Sequence, residues 1–302
     1  MLTTTFPAMG CHVQILLETK QTVAALVLQQ TSAWFAAWKT QLSRFQTHSE
    51  LNQLNRAGKG YVSETLWQVL QAALHAAEYS QGLVQPTLLN ALIAAGYDRN
   101  FADLSPTIAH RPALALSKTD WRAITCDATR HYVDLGGTQL DLGGIAKGWC
   151  AETVAQRLAQ YGAVLVNIGG DIASRACPKG QQGWRIEVCS PIATIPSAHC
   201  WLTAGQAIAT SGRDYRCWTQ QGKPQHHIID PRTQQPAQSN IISATLIAPN
   251  AQEAETAAKM LLILGHTDGL NWLHQHPHLH ACWFTHEGKH HHTPHFPWIP
   301  TP

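Results

Sequence analysis

Charge is scarce in this 302-residue chain: 13% of its residues are Asp, Glu, Lys or Arg, and 21 basic against 19 acidic side chains leave a formal charge of +2. That balance provides no electrostatic footprint for a nucleic-acid backbone, so any attraction to phosphate has to be local. Eight cysteines are scattered along the chain (Cys11, Cys126, Cys150, Cys177, Cys189, Cys200, Cys217, Cys282) without a single C-x-x-C pair. Neither a zinc site nor a disulfide framework is indicated. No apolar run approaches the length of a membrane span. The opening Met1-Leu-Thr-Thr-Thr-Phe-Pro has no basic, apolar or small-residue region of a secretory signal. No repeat of fixed period is visible. These absences set the expectation of a reduced, cytoplasmic protein with no transmembrane segment and no nucleic-acid partner. What replaces charge is Gln, Thr, Asn and 18 His, on an apolar content of 44% that suffices for a full core. One domain over 1–302, in one or two lobes, is expected, with 289–302 as a solvated Pro/His-rich tail.

Periodicity predicts a mixed chain. Cys11 to Leu17 reads as a strand, and Thr22 to Leu42 as a helix whose Trp34, Phe35 and Trp38 pack in a core. Ser63 is suited to cap a helix carrying Leu66, Val69, Leu70, Ala73 and Ala77. A small apolar helix ends near Gly96, and Asp98 to Asp120 reads as Pro-rich and irregular. Strands are expected at Ala123–Cys126, Tyr132–Asp134, Ala163 onward, Trp184–Cys189, Ala207–Thr210, Ile241–Ile247 and near His280–Phe284, with turns at Gly169-Gly170 and Ser211-Gly212. Asn250, with Glu253 at the capping-box position, opens a helix that should stop at Gly265, before a last one near Asp268 to His276.

The stretch that organises the chain is Asp141-Leu-Gly-Gly-Ile-Ala-Lys-Gly148. A β-type run ending Thr138-Gln139-Leu140 leads in, and a helix with Ala151, Val154, Ala155 and Leu158 on one face follows. A strand, a glycine turn and a helix start make an anion site, because glycine lets backbone approach closely and the first helical N–H groups lack partners. Lys147 adds a point charge, and Asp141 can accept from a ribose or base donor. The spacing is neither the Rossmann G-x-G-x-x-G nor a P-loop. Taken alone, it is equally a tight turn whose glycines only permit close packing. His227, near a strand end that breaks at Pro231, is by itself either structural or a general base.

The order of motifs resolves these alternatives. Met9-Gly10, Ser49-Glu50-Leu51 with Asn55, Pro86-Thr87, Asp141 to Gly148, Asn167-Ile-Gly-Gly-Asp171, Ala209-Thr-Ser-Gly212, His227-Ile-Ile-Asp-Pro231 and a helix ending Leu264-Gly265 together resemble the FAD:protein FMN transferase (ApbE) family, from Met9 to about Gly265. The resemblance implies an α/β (α+β) fold with a core related to the T-fold and an FAD cleft between sheet and helices. It implies cleavage of FAD with the help of magnesium, attachment of FMN by a phosphoester to Thr or Ser of a target flavoprotein, and release of AMP. In that reading Met9 packs at the flavin, Phe45 stacks on it where Tyr is usual, and Leu83, Val84 and Gln85 line the site. Asp141, Lys147 and Ile228 contact FAD, Gly144 supplies a backbone metal ligand, and His227 activates the acceptor hydroxyl.

The chain departs from the family pattern where it matters for the metal. The resemblance places an Asp and a Thr, four residues apart on the late helix, as magnesium ligands; here they are Glu255 and Lys259. Residues at that spacing share a helix face, but a protonated lysine cannot ligate a cation. Gln85 stands where Asp is preferred. A lost or altered metal site is therefore expected. Two alternatives to transfer follow: an FAD-binding carrier, sensor or assembly factor without transferase activity, and an FAD pyrophosphatase that uses water as acceptor.

Overall fold

Alternation of apolar and polar residues makes Cys11–Glu18 a half-buried strand, with Val13, Ile15 and Leu17 each fully buried. It belongs to an eight-stranded sheet formed by Leu2–Ala8, Cys11–Glu18, Ala163–Ile168, Asp171–Arg175, Ala207–Gly212, Ile241–Ala248, His280–Thr285 and His290–His292. The strands lie side by side in chain order, and every neighbouring pair is antiparallel. The fold is therefore α+β. The computed structural model describes residues 1–108 and 120–300; part of the irregular segment expected at Asp98 to Asp120, residues 109–119, lies outside them.

The chain divides into two compact units. The first, residues 1–32, 147–214 and 239–302, holds the large sheet. The hairpin Trp184–Val188/Ala198–Leu202 packs Trp184, Ile186, Val188, Cys200 and Leu202 in one cluster with Leu165, Ile172, Ile208, Ile247 and Cys282 of the sheet. The helix Ala251–His274 packs against Ala207–Gly212 and Ile241–Ala248. Cover on both faces explains why Ile241–Ala248 is almost continuously apolar and buried. Asn250 caps this helix as expected, its side chain accepting from Glu253 N. The stop expected at Gly265 is a kink: its φ is +80°, and a new helical stretch starts with His266 N donating to Asn240 Oδ1 at 2.9 Å.

The second unit, residues 33–146 and 215–238, carries the helices Glu50–Ala57, Glu64–Tyr79 and Leu89–Ala94, with short strands in small sheets. Ser49 and Ser63 cap the first two of these helices through their hydroxyls. Its core gathers Leu88, Ala91, Leu92, Ala95, Tyr97, Trp218 and Ile229. Phe35 and Trp38 are buried and meet edge-on, as core residues.

Four local expectations are corrected. Thr138–Leu140 is not a strand: the Asn55 side chain donates to Leu140 O and accepts from Leu140 N, so the backbone is satisfied without a ladder. Ser211 and Gly212 continue a strand, held by pairing with Ala244 and Ser243. Trp121–Ala123 is a 3-10 turn capped by Asp120, and the strand begins only at Thr125. The described part of the tail is ordered rather than loose: His290–His292, still partly exposed, adds to the sheet edge beside Cys282–Phe284, and Phe296 is buried in the first unit's core. What orders it is cross-strand packing, with His291 stacked on Trp283 and His290 on Phe284.

This histidine edge carries a pH signature. Burial, reinforced by neighbouring imidazoles, holds His280 and His290 below the ordinary histidine value, and burial with the charges of His266 and Lys289 does the same for His291. A depressed folded-state value means that the unfolded chain binds the proton more readily, so the stability contributed above pH 6.5 is lost as pH falls through the folded values. The melting temperature is expected to drop between pH 7 and 5. The slope should flatten in His290→Gln/His291→Gln; an identical slope in that variant refutes the assignment.

Candidate functional site

Chemistry-bearing residues collect in each unit, and each collection is described on its own. In the second unit the centre is Arg44. Its Nε meets Asp141 Oδ2 at 2.5 Å and its Nη1 donates to Tyr97 O at 2.8 Å. Its guanidinium carbon lies 4.1 Å from the centre of the Phe45 ring and 4.6 Å from that of Tyr97. Planar, delocalised and weakly hydrated, guanidinium suits contact with two ring faces where ammonium does not. The Arg44 side chain is 7% exposed and Asp141 12%, and Nη2 is buried with no hydrogen-bond partner among the described residues.

Around this pair, Tyr97 packs on Phe45, on Trp218 and on His227, whose ring centre is 6.5 Å from that of the tyrosine. Burial raises the Tyr97 phenol above its ordinary value, against the pull of Arg216 and Arg44, and Arg216 also hydrogen-bonds it. The phenol thus stays neutral. Two guanidinium groups and one carboxylate thus meet the Tyr97 phenol in an aromatic-walled cluster. Pro86 O accepts from Asp141 N at 2.8 Å, which brings the segment Leu83–Thr87 to the same place. Val84 is held there through Ser80, and the Gln85 side chain accepts from Thr87 Oγ1. Asp141 also accepts from Gly143 N at 3.0 Å.

Two adjacent histidines are told apart by their surroundings. His226 is buried, its Nε2 lies 3.0 Å from Ala237 O and its Nδ1 accepts from Ile228 N. Both ring nitrogens are thereby committed, and the residue is structural. His227 is the one that faces Tyr97. Ile228 is buried beside them, its carbonyl accepting from Ala237 N.

In the first unit two hairpin tips lie side by side. Met9 and Gly10, with φ of +53° and +70°, form a two-residue turn of the primed type; Gly169 and Gly170 form the other. Gly169 abuts Cys11 so closely that a Cβ there would stand 2.8 Å from the Cys11 Cβ. Asp171 follows directly and pairs with Lys147. Lys147 also lies 3.6 Å from Glu255 Oε1, and Lys259 lies 3.0 Å from that oxygen. Glu255 Oε2 accepts from Gly148 N at 2.9 Å. Gly148 has no room for a side chain, since a Cβ would meet Glu255 Oε2 at 2.7 Å and Ala251 O at 2.8 Å. Here the glycine serves close helix approach rather than a turn.

The structure thus gathers Phe45, Leu83, Val84, Gln85, Asp141, His227 and Ile228 in one unit, and Lys147, Glu255 and Lys259 in the other. Gly144 belongs to the former and Met9 to the latter. The expected cradle of glycine N–H groups is corrected. Gly143 N donates to Asp141, Gly169 N to His12 O and Gly170 N to Asn167 Oδ1, so three of those donors are already used inside the protein. Sequence reasoning missed Arg44, Tyr97, Arg216 and the role of Asp171, because nothing local marks a residue whose partner is remote in the chain. The adjacency of Arg44 to Phe45 was the one available hint.

The magnesium that the family resemblance implies was tested against these residues. Magnesium demands oxygen ligands at about 2.0–2.1 Å in near-octahedral array. Both Glu255 oxygens already accept from N–H donors, Oε1 from Lys259 and Oε2 from Gly148 N, and the Lys147 ammonium lies 3.6 Å from Oε1. Among the described residues no three His, Cys, Asp or Glu side chains group so as to hold a metal ion. The residues present do not fit the ion.

The architecture is that of known α+β proteins. The chain superposes on the ApbE protein of Thermotoga maritima with a TM-score of 0.81 at 22% identity, over 97% of both chains. For the flavin transferase ApbE of Vibrio cholerae the TM-score is 0.75 at 21% identity, again over 97% of each. At such identities the likeness establishes the fold. Residues 9–283 match the ApbE family, and the chain belongs to that family. It is similar to a FAD:protein FMN transferase of Treponema pallidum, 27% identical over 88% of this chain and 79% of that protein. Another of the same name, from Salmonella typhimurium, is 30% identical over 74% of this chain and 67% of its own. No helix of the described residues is long and apolar enough to cross a membrane.

Proposed function

We propose that this protein is an FAD:protein FMN transferase. A Thr or Ser hydroxyl of an acceptor flavoprotein attacks the phosphorus of the FMN half of FAD. A P–O bond forms to that hydroxyl, the pyrophosphate P–O bond breaks, and AMP leaves. His227 takes the hydroxyl proton, the role for which an imidazole is suited near neutral pH. Arg44 and Arg216 offset phosphate charge and, with Phe45 and Tyr97, hold the dinucleotide; Leu83, Val84, Gln85 and Ile228 shape the wall, and Asp141 orients Arg44. Phosphoryl transfer asks little of a protein beyond positioning and charge stabilisation, and these residues offer both.

The single observation that carries the reading is the buried Arg44 guanidinium, pinned by Asp141 against two aromatic rings in the cluster that holds His227. An arginine fixed beside aromatic rings and an imidazole offers cation, stacking face and acid–base group together, which is what binding and cleaving a dinucleotide requires. Family membership and the names borne by its relatives support the same reading. The test incubates the protein with FAD and a Thr-containing acceptor peptide. FMN mass added to the peptide, with an equal amount of AMP, is the expected result. AMP without added mass identifies a pyrophosphatase instead, and intact FAD a binding protein.

A further inference from the structure

We propose that Lys259 is a built-in counter-cation, its ammonium replacing the divalent metal that the family resemblance places at this helix, so that this protein's carboxylate site excludes magnesium. The inference deepens the transferase reading and rests on it for the expected location of the metal.

An ordinary exposed Glu–Lys pair at i,i+4 is screened by water and stabilises a helix only slightly. This pair is different. Glu255 is 1% exposed and the Lys259 side chain 15%. A buried carboxylate needs compensation on every oxygen, and Glu255 has it: two ammonium groups on Oε1 and the Gly148 amide on Oε2. The second buried carboxylate, Asp171, is met by the same Lys147. Two lysines against two carboxylates balance without any further ion. A dication added here would leave two surplus charges in a poorly solvated place, within a few ångströms of two ammonium groups that repel it.

The chemical consequence is specific. Ammonium offers one charge and rotatable N–H donors; it accepts no oxygen ligands in a fixed array. Whatever charge Lys259 contributes to the site is therefore independent of metal supply.

Manganese, titrated into flavin-free protein and followed by loss of the free-ion paramagnetic resonance signal, tests the idea without any turnover. Native protein is expected to leave the signal undiminished. Lys259→Thr, which removes the ammonium and adds a hydroxyl ligand, is expected to take up the ion at least about tenfold more tightly, as removal of a like charge ~4 Å away should allow. Should the threonine variant lose its melting transition, Lys259→Gln keeps the chain length and serves the same purpose. Stoichiometric uptake by the native protein overturns the proposal by itself, and so does equal behaviour of native and variant proteins. Peptide flavinylation is scored separately, so a failed transfer reaction and a failed counter-cation are distinguishable.

Discussion

Arg44→Ala is expected to destabilise the protein by about 3–5 kcal/mol, the range for removing one partner of a buried ion pair and leaving the other charge uncompensated. Among the described residues the Asp141 side chain would keep its bond from Gly143 N, at 3.0 Å, inside a site where it is 12% exposed. The stacks on Phe45 and Tyr97 would go too, along with the bond to Tyr97 O. Chemical denaturation of the variant gives the loss directly. The companion measurement is Arg44→Met/Asp141→Leu, because replacing both partners by apolar residues is often nearly neutral where removing one is not. If the single variant costs under about 1 kcal/mol, the level of an exposed pair, the pair does not anchor this cluster. Affinity for FAD should fall in both variants, since the double variant restores packing but not the charge.

Peptide flavinylation by His227→Ala is expected to fall by about 10²–10⁴-fold, the usual contribution of a positioned general base. Calorimetric affinity for FAD should stay close to native, because the imidazole is assigned to the acceptor hydroxyl and not to the dinucleotide. That split separates a chemical role from a structural one: a histidine that only supports the fold would lower the melting temperature and the affinity together. Its neighbour His226 has the structural role, with both ring nitrogens bound to backbone groups of Ala237 and Ile228. Retention of native transfer rates by His227→Ala would remove the proton-accepting role and leave positioning as the sole source of rate.

Both predictions turn on contacts of unequal legibility. Ser49, Ser63 and Asn250 cap helices where their sequence neighbourhoods predict. The strands at Cys11, Ala163 and Ile241 start where alternation or apolar runs begin. These features are local: a hydroxyl reaching an amide three residues on needs no distant partner. The misreadings are mostly non-local, the exceptions being the Asp120-capped turn at Trp121–Ala123 and the Gly143 and Gly170 amides, bound two and three residues away. Thr138–Leu140 looked like a strand until Asn55, 85 residues before Leu140, took up its backbone groups. The tail looked solvated by composition, yet Trp283 and Phe284 offered faces to His291 and His290. The glycine pairs promised free amides that His12, Asn167 and Asp141 had already bound.

From the order of residues alone come the α+β class, the helix boundaries set by caps, the family, and the anomaly of Lys259 opposite Glu255. These depend on periodicity, on side-chain chemistry at fixed offsets and on motif sequence, all of which survive in an unfolded string. Folding alone selects which charges meet: Arg44 with Asp141, Lys147 with both Asp171 and Glu255, and His227 rather than His226 beside Tyr97. A buried charge takes its partner from whatever the packed chain brings within a few ångströms, and that neighbourhood does not exist until the core has formed.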